Sequence, residues 1–360
     1  MRRSLCLPTT GQSAVRRTLG ISVAEGVVAE LVGACASGGA ITAWALYLGL
    51  TPVLVGVLGA LPFAAQIVQI PSAWLTRSRG GRRTALWTIG VSRQLPLALA
   101  LLRRQHEPHA HLVPPEPTLA EALRPWTEQA ARGALTFHMS WAAACGLAAA
   151  FYPIHMIANL RMGFARMALY NGAIAAVRML TAPLWGRALD RVGARPVLVA
   201  CCFGLSVSPV IWLFPREDLL WPLALDAVLC GVLLAGQGLA SFSLPLNVSS
   251  RGTRPFHLAA FAAAAGVATG LFSAVGGTLT HVLPGHVGFA GRTLVGAQLL
   301  FLLGGGLRLC AAVLALRIEE PGARPVQALG RLALDGALGR QRPARDPACA
   351  AEIAQRSSAA

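Results

Sequence analysis

Apolar residues fall along this chain in long unbroken blocks. Nine can be marked, at 24–48, 52–74, 84–102, 135–157, 164–186, 196–214, 219–244, 256–282 and 291–316. Most are about twenty residues long, the length of helix that crosses a hydrocarbon core of about 30 Å. Strands of a membrane barrel would alternate polar and apolar positions, and these blocks do not. The pattern predicts an all-α, polytopic membrane helix bundle. Gly and Ala are dense in "GVLGALPFAA", "GVATGLFSAVGG" and "LLGGGLRL", and small residues let helix backbones approach closely in lipid.

Residues 103–134 interrupt the pattern with "RRQHEPHAHLVPPEPTLAEALRPWTEQAARG", a polar, proline-rich linker ending in a short amphipathic helix around 119–132. After Arg317 the chain turns rich in Arg, Pro and Ala with nearly balanced charge, the composition of a disordered tail holding at most a short helix at 326–338. The expected organisation is a cytoplasmic tail (1–20), an incomplete N-terminal helix bundle (21–102), the central linker (103–134), a six-helix C-terminal bundle (135–317) and a disordered tail (318–360).

Composition narrows the class. Hydrophobic residues make up 55% of the chain and charged residues 13%, against about 25% charged in a soluble domain; mean hydropathy is +0.57. The net charge of +16 does not point to nucleic acid. All 31 basic residues are arginine, and they sit mainly at block edges, where they orient membrane helices. The eight cysteines are dispersed without a CxxC pair, so no redox or zinc motif is visible; those inside blocks read as small buried hydrophobes. Without lysine there can be no GxxxxGK[ST] phosphate loop. No HExxH or Ser/His/Asp set is present, and His106, His109 and His111 read as a solvated loop. No enzyme activity, cofactor or metal site is expected.

Two short charged turns stand out. "WGRALDRVGARPVL" spans 185–198 and "WLTRSRGGRRTAL" spans 74–86. Each follows the second apolar block of its group, which marks an internal repeat around a central linker, an arrangement found in transporters. The first stretch resembles the cytoplasmic signature loop of the major facilitator superfamily, G-x-x-x-D-R-x-G-R-R. Gly186, Asp190, Arg191, Gly193 and Arg195 match, and Ala194 replaces a basic residue. Gly81, Arg82 and Arg83 form a degenerate first copy, with Ser78 where an acid would stand.

The resemblance covers about residues 20–320. It implies a secondary transporter of a small molecule working by alternating access, with a loop that latches the two halves on the cytoplasmic side. In that role Gly186 would permit close helix contact. Asp190 would accept from an arginine or from free N–H groups at a helix N-terminus. The competing reading is a decayed or partner-binding membrane protein without transport activity, because a full member has six helices in each half and this chain has three in the first. The partners expected are the lipid bilayer, a small-molecule substrate, a coupling ion, and a second copy of the chain as a replacement for the lost wall. The location implied is a bacterial inner membrane, with multiple passes and both termini cytoplasmic.

Ionisable and amide groups inside the blocks are candidates for the pathway, since burying them is costly. Asp226 is a proton or cation site, the structural partner of an arginine, or a wet interfacial acid. Arg178 and Arg308 line the pathway or snorkel to the headgroups. Glu25 and Glu30 open the first block; Gln66 and Gln69 share one face of the second.

Parity constrains the topology. If block 84–102 spanned, the second half would invert and place "GRALDRVGARP" outside, against the positive-inside rule. Arg93 and Pro96 near its middle favour a re-entrant or surface-lying segment, giving eight or nine membrane segments in all. Reporter fusions at residue 115 and at the C-terminus are expected to read cytoplasmic; a periplasmic signal at residue 115 overturns the re-entrant reading.

Overall fold

The structure is a computed structural model that describes residues 118–250, 253–283, 286–289 and 292–331. Its elements in order are α1 (Leu119–Thr127), α2 (Gln129–Ala149), α3 (Phe151–Ala158), α4 (Phe164–Val192), α5 (Ala194–Leu205), α6 (Ser208–Ile211), α7 (Trp221–Val248), α8 (Arg254–Val282), β1 (His286–Phe289), β2 (Arg292–Val295) and α9 (Gly296–Ala315). The strands form one small antiparallel hairpin, with Val287 opposite Leu294.

Among the described residues five stretches are long and apolar enough to cross a membrane: Ala131–Ala158, Ala194–Ile211, Trp221–Val248, Arg254–Thr280 and Gly296–Ala315. The first joins α2 to α3 and the second joins α5 to α6. Helix α4 is as long, at 29 residues, but carries Arg166, Arg178, Arg187, Asp190 and Arg191. It reaches about 43 Å at 1.5 Å per residue, so its charged ends extend past a core of about 30 Å.

Prolines set the breaks. A proline ring clashes with the carbonyl four residues earlier and removes one hydrogen bond. Pro153 acts on Ala149, the last residue of α2, and Pro209 acts on Leu205, the last residue of α5. Pro245 acts within α7 on Ser241, yet that helix continues. His138 of α2 compensates: in the tautomer protonated at Nε2 it donates to the Ser241 carbonyl at 3.3 Å. Gln298 of α9 likewise donates to the carbonyls of Trp212 and Leu213 beyond α6, at 3.3 and 3.4 Å. Such cross-helix donors let irregular backbone persist at membrane depth.

Packing runs through two tight pairs, α2 with α8 and α4 with α7, linked by α5 and α9. Two glycines decide the first pair. A methyl at Gly146 would overlap the backbone of Thr269, and one at Gly276 would overlap the Leu147 carbonyl. One core cluster, including Phe137, Val197, Leu198, Leu244, Ala312 and Ile318, fills the end near the α4–α5 turn. A second, including Phe151, Trp212, Leu223, Leu300 and Phe301, fills the opposite end. Outside lies a belt of exposed Leu225, Val228, Phe242, Leu271, Leu303, Leu307 and Val313, an apolar surface that a bilayer rather than water covers.

Two boundaries differ from the sequence pattern. The expected helix 119–132 divides at Glu128, whose backbone is extended, and α2 starts at Gln129, inside the stretch read as linker. Thr118 and Glu121 form a capping box that fixes the start of α1. Of the tail expected to be disordered, residues 318–331 are ordered: Ile318 is buried, and Val326, Ala328 and Leu329 pack on the core; residues 332–360 lie outside the described residues. The tail's helical turn runs over 327–331. Composition missed this because three spaced apolar side chains suffice to dock a short segment on a large core.

Candidate functional site

The signature turn closes α4 onto α5. Gly193 takes φ +95°, a conformation that L side chains rarely adopt, and its N–H donates to the Leu189 carbonyl. A Cβ there would also press on Ala323 at 3.1 Å. Gly193 is therefore fixed both by backbone conformation and by close approach. Gly186 is not: a Cβ there would meet nothing within 4 Å. Among the described residues no close contact is made at Gly186; Trp185 takes the α7-facing position, donating from Nε1 to the Val232 carbonyl at 2.7 Å. The next residue of a helix points about 100° away.

The free N–H groups of α5 do meet an acid, and it is Glu320. Its Oε1 accepts from Ala194 N at 3.1 Å and its Oε2 from Arg195 N at 2.6 Å. Asn247 at the end of α7 donates to the same Oε1 at 2.6 Å. Arg195 Nη2 donates to the Leu316 carbonyl at 2.5 Å, and Arg324 N donates to the Val192 carbonyl at 2.9 Å. A carboxylate at a helix N-terminus satisfies orphan donors and the helix dipole together. Residues 316–324 thus staple α5, α7 and α9 at this end. Asp190 has no hydrogen-bond or ion-pair partner among the described residues, and Arg187 and Arg191 are exposed.

A second constellation surrounds Asp226, one turn into α7 and wholly inaccessible to solvent. Its Oδ2 accepts from Tyr170 Oη of α4 at 2.5 Å and from Trp212 Nε1 at 3.0 Å. The Cys230 thiol lies 3.6 Å from Oδ1 and 3.4 Å from Ser208 Oγ of α6. Rings close the rest: Tyr152 meets Trp212 edge-on at 4.7 Å and stacks on Phe301 at 4.2 Å. Tyr170 meets Trp212 edge-on at 5.8 Å. No cationic side chain lies within salt-bridge distance of Asp226 among the described residues, so its shell is made of neutral donors rather than an arginine.

The other sequence candidates disperse. Arg178 of α4 reaches over α7, with Nη2 3.6 Å from where a Gly238 Cβ would stand. Arg308 lies in α9 with Nε buried. Glu25, Glu30, Gln66, Gln69, Gly81, Arg82 and Arg83 lie outside the described residues. Sequence reading missed Glu320, Tyr170 and Trp212. Glu320 had a signal: an acid just beyond the C-terminus of an apolar helix opposes that helix's own dipole, so it serves another.

The family model described as Major Facilitator Superfamily matches residues 133–345, and the chain belongs to that superfamily. It is a multi-pass membrane protein of a transporter family. No curated protein matches it.

Glu320→Ala is expected to lower the stability of the detergent-solubilised protein by about 1–2 kcal/mol, the scale of a lost helix cap. Asp190→Asn should stay within about 0.5 kcal/mol, as for a surface position. Thermal unfolding of both variants checks the assignment, and the reverse order of effects overturns it.

Proposed function

We propose that this chain is a secondary active transporter, moving a small molecule across a bacterial inner membrane by alternating access, with both termini cytoplasmic. One observation carries the reading: Asp226 is a fully buried acid held by neutral donors from α4, α7 and the segment after α6. A carboxyl group with a permanent cationic partner is pinned in its charged form. One with phenol, indole and thiol neighbours exchanges a proton or a cation without breaking an ion pair. Asp226 serves as the coupling site, and α4, the most charged of the long helices, forms the wall beside it.

The signature turn supplies the gate. Glu320 completes α5, which leaves Asp190 unpartnered among the described residues and available to latch the first half. A charge-assisted contact contributes about 1.5–3 kcal/mol, which shifts a two-state equilibrium about tenfold or more. The expectation is a protein biased toward its cytoplasm-open state, since the first copy has Ser78 in place of the acid. Asp190→Asn should raise labelling of a cysteine introduced on the cytoplasmic side, with membrane insertion intact; unchanged labelling reduces the turn to a topology anchor.

Reconstitution tests the coupling. In proteoliposomes screened against a panel of small molecules, Asp226→Asn should abolish accumulation driven by an imposed ion gradient while exchange at equal concentrations persists within a few-fold. Accumulation that survives the substitution removes Asp226 from the mechanism, and absence of flux for the whole panel argues for a membrane protein without transport activity.

A further inference from the structure

Arg308 is the only charged residue of α9, and it lies on the face turned into the bundle. Phe301, Gly304, Gly305, Ala311, Ala312 and Ala315 are the buried stripe of that helix, whereas Leu303, Leu307, Leu309 and Val313 are exposed. Helical spacing puts Arg308 on the buried stripe, between the two glycines and the alanines. It is about 10 Å along the axis from Ala315, and its Nε is buried without a hydrogen-bond partner among the described residues. The residue as a whole is half-buried, with this nitrogen turned into the protein.

The seam between α9 and α2–α3 steps inward by turns. Tyr152 stacks on Phe301, Ala148 Cβ and the Ala144 carbonyl approach Gly304, and one turn further along the seam Arg308 comes level with Cys145. Tyr152, Cys202 and Cys230 are its other electrostatic neighbours. The groups within its electrostatic reach are three thiols on three helices and one phenol, and no carboxylate pairs with it among the described residues. Asp226 is held by Tyr170 and Trp212 and makes no salt bridge with Arg308. A second buried polar atom in the same seam, Tyr152 Oη, also has no hydrogen-bond partner among the described residues. A buried guanidinium with soft neutral neighbours is far from electrostatically balanced, and intramembrane cations of this kind mark the path of a charged ligand.

We propose that Arg308, with Tyr152 Oη, is the anion-binding subsite for the transported molecule, so that the substrate is a small organic anion bearing a carboxylate, sulfonate or phosphate group. The planar guanidinium matches such groups, Tyr152 adds a second donor, and Asp226 supplies the coupling proton one turn from Cys230. This rests on the transport reading above and adds the substrate class to it.

Cys145 stands level with Arg308 on this seam and serves as a built-in reporter. In the full-length chain with its other cysteines replaced by alanine, Cys145 is treated with 2-sulfonatoethyl methanethiosulfonate or with the 2-(trimethylammonium)ethyl analogue. Each rate is divided by that reagent's rate with free 2-mercaptoethanol. The anionic reagent is expected to react at least about tenfold faster, the focusing a single-sign cleft produces. Arg308→Gln should bring the ratio near one, and Arg308→Lys should keep an anion preference. Equal rates in the parent, a preference that survives Arg308→Gln, or a thiol that reacts only after denaturation each overturn the subsite. So does a preference present only in Asp226→Asn, which would make Asp226 the cation's partner. Anion preference without flux in proteoliposomes removes the transport reading and keeps the subsite; flux without preference does the reverse.

Discussion

A carboxyl group cut off from water can exist only where the protein supplies its hydrogen bonds. Asp226 imposes that condition on the described half of the chain. Tyr170 and Trp212 come from segments on either side of the signature turn, and both reach the same oxygen. Trp212 stands where it does because α5 stops at Leu205 and a short α6 follows, so the broken helix and the buried acid belong to one arrangement. The ring cage of Tyr152, Phe301 and Trp212 then seals the site. Leaving any of these polar atoms unmatched would cost several kcal/mol in an apolar surrounding.

The same rule governs the backbone. Where a backbone carbonyl lacks its helical N–H, a side chain from another helix serves it: His138, in the tautomer protonated at Nε2, serves Ser241 opposite Pro245, and Gln298 serves the carbonyls beyond α6. These donors lie on α2 and α9, so the irregular helices α5–α6 and α7 depend on neighbours distant in sequence. A substitution at His138 or Gln298 therefore acts on a helix other than its own.

Much of this was legible in the sequence. Apolar blocks gave the helices of the second half to within a few residues, because length and hydropathy are what a bilayer selects. The signature turn was legible because glycine at a positive φ and a string of arginines are rare between two apolar runs. The partners of Asp226 were not, since a tyrosine at 170 and a tryptophan at 212 look like ordinary core or interface residues until folding brings them together. The place of Glu320 after an apolar helix was a signal that it serves another element, but which one was hidden: its partners at 194 and 195 lie 126 and 125 residues away, and no local pattern reports so distant a contact. Gly186 shows the converse, a motif residue whose expected contact is absent from the described half.

That separation also sets an order of assembly. Ala194 leaves the ribosome 126 residues before Glu320, and synthesis proceeds at about 5–20 residues per second. For about 6–25 s the nascent α5 has no carboxylate for its first amides, and only water can serve them. The last ordered stretch of the described chain is thus the one that finishes a helix made long before. Closure of this end of the bundle is a late event in biogenesis, after α9 has entered the membrane and turned its C-terminus back.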